Sequence, residues 1–139
     1  MLSPRPLAPG IWAAPQIALE DLPGIAGLGV RLVVNNRPDG EDAGQPSSAE
    51  MEDAVRAAGL DYVHAHVAGM PGPDAVRAVA AALETGEPML MYCRSGTRST
   101  VTWALAMRAL DRAGPDALRE AAANAGYDLS RLPLPGDPL

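Results

Sequence analysis

Short apolar runs alternate along this chain with longer stretches whose apolar residues recur every three or four positions. Two runs are apolar almost throughout, Arg31-Leu32-Val33-Val34-Asn35 and Pro88-Met89-Leu90-Met91-Tyr92. Runs of that length read as short buried strands. Tyr62 to Val67 predicts another strand. Near the start, Arg5 to Leu7 and Gly10 to Ala14 flank Pro9-Gly10, a turn signal, and predict a small hairpin or a single edge strand.

Helical spacing fills the intervals. Ala18 to Leu28 predicts a short helix, with Pro23 allowed only in its first turn or at a break. Ser47 or Ser48 caps the next helix, Glu50 suits its positive end, and Met51, Ala54, Val55 and Ala58 form its apolar stripe up to Gly59. Asp74 opens a helix carrying Val76, Val79, Ala80 and Leu83, ended by Gly86. Thr100 to Ala113 has few polar positions and predicts a helix buried on most sides. Pro115 sits at the favoured first-turn position of a last helix reaching about Asn124, with Gly126 beyond it.

Strand and helix alternating in this way predict an α/β fold, a mostly parallel central sheet flanked by helices. A single domain over 1–139 is expected, with extended termini at 1–6 and 130–139. Ligands of such sheets bind beyond the carboxyl ends of the strands. Three segments should meet there: Asn35 to Glu41, Ala68 to Asp74, and the stretch from Cys93.

Composition narrows the chemistry. The 139 residues carry a formal net charge of −6, which argues against general binding to nucleic acid or anionic membrane. Aromatics are 4% and Phe is absent, so the core must rest on Ala, Val, Leu and Met. The single cysteine excludes an internal disulfide and an all-cysteine zinc site. No apolar segment follows Met1-Leu2-Ser3-Pro4-Arg5-Pro6 as in a signal peptide, and no run is long enough to span a bilayer, so a cytoplasmic location is expected.

That one cysteine opens Cys93-Arg94-Ser95-Gly96-Thr97-Arg98-Ser99, at a strand-to-helix switch. Such a turn gathers backbone N–H groups and the positive end of a helix around one spot. Gly96 supplies the dihedrals a tight loop needs, and Arg98 adds a planar charged fork that suits an oxyanion. The loop favours a thiolate at Cys93. Arg94, Ser95, Gly96 and Thr97 are then anion contacts, and Arg37 is either a further contact or the partner of Asp39 or Glu41. His64 and His66, on one strand face, lack a third metal ligand and read as packed or partly exposed side chains. No metal and no cofactor is expected.

Four residues separate Cys93 from Arg98. That resembles the rhodanese active loop, whereas cysteine phosphatases have five residues there. The remainder resembles a different group. From about Leu7 to Leu129 the chain is similar to the phosphatase-like domain family of beta-lactamase-hydrolase-like proteins. The matching pieces are Gln16, Asn35 to Glu41, Gln45-Pro46-Ser47, the Cys93 to Ser99 loop, and Ala125-Gly126-Tyr127-Asp128. The resemblance implies a dual-specificity-phosphatase-like fold, with Cys93 as nucleophile and Arg98 as substrate clamp. It also implies that the Ser99 hydroxyl eases departure of the thiolate. The general acid of phosphatase relatives falls here on Ala68-Gly69-Met70. Asp74 is the nearest carboxylate beyond, with Asp39 and Glu41 on the neighbouring loop.

Loop length and the missing acid favour persulfide sulfur transfer through Cys93. A cysteine-dependent phosphatase is the alternative, and a non-catalytic module that recognises phosphate or sulfate is a third. The expected partner is a small anion, thiosulfate or a persulfide in one case and a phosphate ester in the other. The resemblance also allows a persulfide-oxidising partner.

Overall fold

The computed structural model describes residues 2–138. The chain opens with a hairpin, β1 (Arg5–Ala8) and β2 (Ile11–Ala14), followed by a single 3₁₀ turn at Leu19–Asp21 and α1 (Leu22–Gly27). Then come β3 (Leu32–Asn35), α2 (Ser48–Ala57), β4 (Asp61–His64), α3 (Pro73–Glu84), β5 (Met89–Tyr92), α4 (Thr97–Ala109) and α5 (Pro115–Asn124). The five strands form one sheet in the order β1-β2-β5-β3-β4. Only the β1–β2 pair is antiparallel.

Side-chain alternation explains why the sheet is covered on both sides. Leu32, Val34, Met89 and Met91 point to one face, where Trp103, Ala104 and Ala106 of α4, Val79 and Leu83 of α3 and Leu118 of α5 pack on them. Val33, Leu90 and Tyr92 point to the other, against Ile25 of α1 and Met51 and Val55 of α2. Tyr92 is buried, and that burial pushes its phenol far above the ordinary value. α2 opens with a capping box: Ser47 Oγ accepts from the Glu50 N–H at 3.1 Å, and Glu50 accepts from the Ser47 N–H at 3.1 Å. Such a cap stabilises a helix by about 1 kcal/mol.

Register sets where the site can form. Ala14 pairs with Tyr92, Tyr92 with Asn35, and Asn35 with His64, so four strands end at one level. The loops after β2, β3, β4 and β5 therefore leave the sheet side by side. Several boundaries differ from the sequence expectation. The strand expected to run to Val67 stops at His64, because its neighbour β3 ends at Asn35. Beyond it, Ala65 and Val67 donate their N–H groups to the Asn35 and Asn36 carbonyls, and Asn36 Nδ2 donates to the Ala65 carbonyl. The helix expected from Thr100 begins instead at Thr97, and it ends at Ala109 rather than Ala113. Asp111, at φ 53°, breaks it.

The tail docks on the helices. Leu134 is buried, Arg108 Nε donates to the Pro135 carbonyl at 2.5 Å, and Arg119 forms a two-bond fork with Asp137 at 2.8 and 2.7 Å. Among the described residues, no helix is long and apolar enough to cross a membrane.

Candidate active site

Cys93 follows β5 directly and is buried. Its Sγ accepts the Gly96 N–H at 3.1 Å. Three of the loop carbonyls are tied by hydrogen bonds. The Arg94 carbonyl accepts the Gln16 N–H at 3.1 Å, the Ser95 carbonyl accepts the Tyr127 hydroxyl at 3.2 Å, and the Gly96 carbonyl accepts the Thr100 N–H at 3.0 Å. In a trans peptide the N–H points away from its C=O, so the Ser95–Gly96 unit, tied at its carbonyl by Tyr127, presents its N–H to Sγ. Gly96 is required twice over. Its φ is +98°, and a Cβ there would overlap the Tyr127 hydroxyl and stand 2.7 Å from Cζ of that ring. Because α4 starts at Thr97, its positive end adds to the same hollow.

Arg98 is gripped from two neighbouring loops. Its Nη1 and Nη2 donate to Glu41 Oε2 and Oε1 at 2.7 and 2.8 Å, a two-bond fork, and Nη1 also donates to the Val67 carbonyl at 2.6 Å. Glu41 is shared. Arg37 Nε donates to its Oε1 at 2.8 Å, while Arg37 Nη2 reaches Asp42 at 2.7 Å and Nη1 reaches Gln16 at 3.0 Å. The fork with Arg98, aided by Arg37, holds the Glu41 carboxyl at about 2 against the opposing effect of burial. The same fork, with Cys93 close by, pushes the Arg98 guanidinium up against the opposing effect of burial. Burial works against the charge on Arg37, and the two carboxylates more than offset it.

The other loop residues take distinct positions. Arg94 is mostly exposed and lies 3.9 Å from Asp42. Ser95 Oγ donates to Thr97 Oγ1 at 3.1 Å and accepts the Thr97 N–H at 3.3 Å. The Ser99 hydroxyl is buried and donates to Asn36 Oδ1 at 2.8 Å. Arg37, left between an anion contact and a carboxylate partner by the sequence, spends its donors on Glu41, Asp42 and Gln16.

The three carboxylates weighed as general acids are each occupied. Asp74 is fully exposed and pairs with Arg77 at 2.6 Å. Asp39 Oδ1 accepts the Ser48 N–H at 2.7 Å. Glu41 is held ionised by two arginines. His64 Nε2 lies 2.8 Å from the Arg37 carbonyl, and because a carbonyl only accepts, that nitrogen carries the proton. His64, His66, Met70 and Asp74 line a cleft of about 370 Å³. Among the described residues, no group of three or more His, Cys, Asp or Glu could hold a metal ion. Sequence reasoning left three partners of the loop without a role: Gln16, which holds both Arg94 and Arg37, Asn36, and Tyr127. All three were visible only as pieces of a family pattern.

The phosphatase-like domain of beta-lactamase hydrolase-like proteins matches residues 4–111 of the chain. The chain belongs to that family. A beta-lactamase hydrolase-like protein from Agrobacterium fabrum is 34% identical over 94 residues, 66% of this chain and 22% of that protein. One from Xylella fastidiosa is 35% identical over 105 residues, 74% of this chain and 24% of that protein. This family member thus spans under a quarter of the curated relatives it matches. Among solved structures, a Neisseria meningitidis protein described as a candidate phosphatase superposes with a TM-score of 0.75 and 29% identity, covering 90% of this chain and 89% of that one. A kinase-associated phosphatase, solved with its catalytic-site cysteine replaced by serine, superposes with a TM-score of 0.67 and 16% identity, covering 90% and 83%. The family member therefore has a protein-tyrosine-phosphatase-like fold, related to that of cysteine-based phosphatases.

Proposed function

We propose that this family member is a cysteine-dependent phosphatase acting on small phosphate esters. The observation that carries the reading is the Cys93 loop, with the Gly96 N–H on Sγ, at a helix N-terminus and with Arg98 beside it, in a phosphatase-like fold. Cys93 Sγ attacks phosphorus in line. The S–P bond forms as the P–O bond breaks, and the electron pair leaves with the alkoxide or aryloxide oxygen. Water then attacks phosphorus, the S–P bond breaks, and the thiolate is restored. The N–H groups of the loop and Arg98 stabilise the equatorial oxygens through both steps. The Arg94 to Thr97 backbone supplies that hole, and Arg37 acts at one remove by holding Glu41. The Ser99 hydroxyl, which donates to Asn36, ties the first turn of α4 to the loop after β3.

Glu41 is held ionised by two arginines, Asp39 accepts the Ser48 N–H and Asp74 stands exposed beside Arg77, so no carboxyl is assigned to protonate the leaving oxygen. Aryl phosphates, whose leaving groups are weak bases, should exceed alkyl phosphates in turnover.

A second reading rests on a specific observation, the four residues between Cys93 and Arg98. In sulfur transfer Sγ attacks the outer sulfur of thiosulfate, an S–S bond forms, and sulfite leaves with the electron pair. A thiol then takes the sulfur. That route needs no acid.

One experiment separates the readings. Reduced protein is assayed for vanadate-sensitive aryl phosphate hydrolysis and, in parallel, weighed intact after thiosulfate. Phosphate release that vanishes in Cys93→Ser supports the phosphatase. A gain of one sulfur that cyanide reverses, without phosphate release, supports sulfur transfer. Neither outcome, with phosphate still bound, returns the loop to a recognition role.

A further inference from the structure

We infer that Tyr127 is a positioning residue for Cys93, acting through the peptide that joins Ser95 to Gly96. This rests on the reading of Cys93 as the nucleophile, which both reactions above share. The Ser95 carbonyl that accepts the Tyr127 hydroxyl at 3.2 Å and the Gly96 N–H that reaches Sγ at 3.1 Å belong to one planar trans unit. A donor on the carbonyl fixes the plane of that unit. It also draws electron density toward the carbonyl oxygen, which strengthens the N–H as a donor on the far side. The phenol thus acts on the sulfur without touching it.

Three further observations support a built arrangement. Gly96 leaves the room the hydroxyl occupies, since a Cβ there would overlap it. The ring is held from behind by Arg5, whose Cζ lies 5.9 Å from the ring centroid and whose Nη1 donates to the Ala125 carbonyl at 3.2 Å. Burial pushes the phenol up, so it stays a protonated donor. Tyr127 follows α5, so the loop chemistry is tuned from a segment beyond the last helix.

The hydroxyl bond is long for its type, so the effect is moderate. Tyr127→Phe keeps the ring and removes the donor. The test is the rate of Cys93 alkylation by iodoacetamide across pH, on the full chain. Alkylation near pH 6 should fall about threefold in Y127F, while the rate on the alkaline plateau stays that of the parent. Fluorinated tyrosine placed at position 127 alone makes a stronger donor, and there alkylation near pH 6 should rise. Superimposable profiles for the parent and a folded Y127F would overturn the inference. If Y127F does not fold, an unchanged profile with fluorotyrosine overturns it instead. Alkylation needs no phosphate ester, so a protein that shows these shifts yet releases no phosphate keeps Tyr127 in its role and loses only the phosphatase reading.

Discussion

The molecule contains two arginine–carboxylate forks of nearly the same shape. Arg98 and Glu41 meet at 2.7 and 2.8 Å, and Arg119 and Asp137 meet at 2.8 and 2.7 Å. Each carboxyl is held at about 2, chiefly by its arginine. Their surroundings differ. Glu41 is shared with Arg37, whose side chain is only 3% exposed, and Arg98 stands beside Cys93. Asp137 is shared instead with the Leu134 N–H, and its fork fastens a tail. Geometry alone does not separate a fork that aims a reactive group from one that closes a strap. The third partner does.

Breaking the forks one at a time tests that distinction. The largest effect is expected from Arg98→Lys, which keeps the charge and loses the planar fork. Turnover of an aryl phosphate should fall about 100-fold, whereas Arg119→Lys should leave it unchanged. Equal losses in the two variants would erase the distinction.

Neutralising the carboxylates comes next. Glu41→Gln weakens the grip on Arg98 and leaves buried Arg37 one charge short, so kcat/KM should fall about tenfold. Asp137→Asn should leave kcat/KM alone and lower the melting temperature by about 3 °C. A kcat/KM that rises in E41Q would mean that Glu41 competes with substrate for Arg98 rather than aiming it.

The smallest effect is one the forks share. Glu41 is depressed from 4.5 and Asp137 from 3.8, each to about 2. A depressed acid contributes stability that is complete above its unfolded value and is lost as pH falls through the folded one. Acid denaturation of the parent should steepen below about pH 4.5, and both E41Q and D137N should flatten that limb. Here the forks should look alike, which places the contrast in catalysis rather than in ionisation.

Much of the architecture is legible in the sequence because β2, β3 and β5 are short, largely apolar runs. The Cys93 to Ser99 loop is legible because it is local. The early start of α4 is not, since nothing in the order of residues says that Gly96, once left-handed, lets Thr97 enter the helix at once. The Glu41–Arg98 fork is also hidden. Its partners stand 57 residues apart and meet only because β3 and β5 are neighbours ending in register. Convergence of the loops after β3, β4 and β5 follows from parallel topology, but the pairing within them does not. Tyr127 is the extreme case. Its hydroxyl matters only once the last helix has carried it behind the loop, and a lone Tyr after Gly126 carries no sign of that.

The ties on the Arg94 and Ser95 carbonyls, from Gln16 and Tyr127, bear on affinity. A flexible anion loop must be ordered when ligand arrives, and that ordering weakens binding. Here the entropy of the loop is surrendered when the chain folds, before any ligand is present. On the proposed phosphatase reading, an oxyanion would meet donors already in place, its association with this loop should be close to lock-and-key, and tightening the loop further should add little.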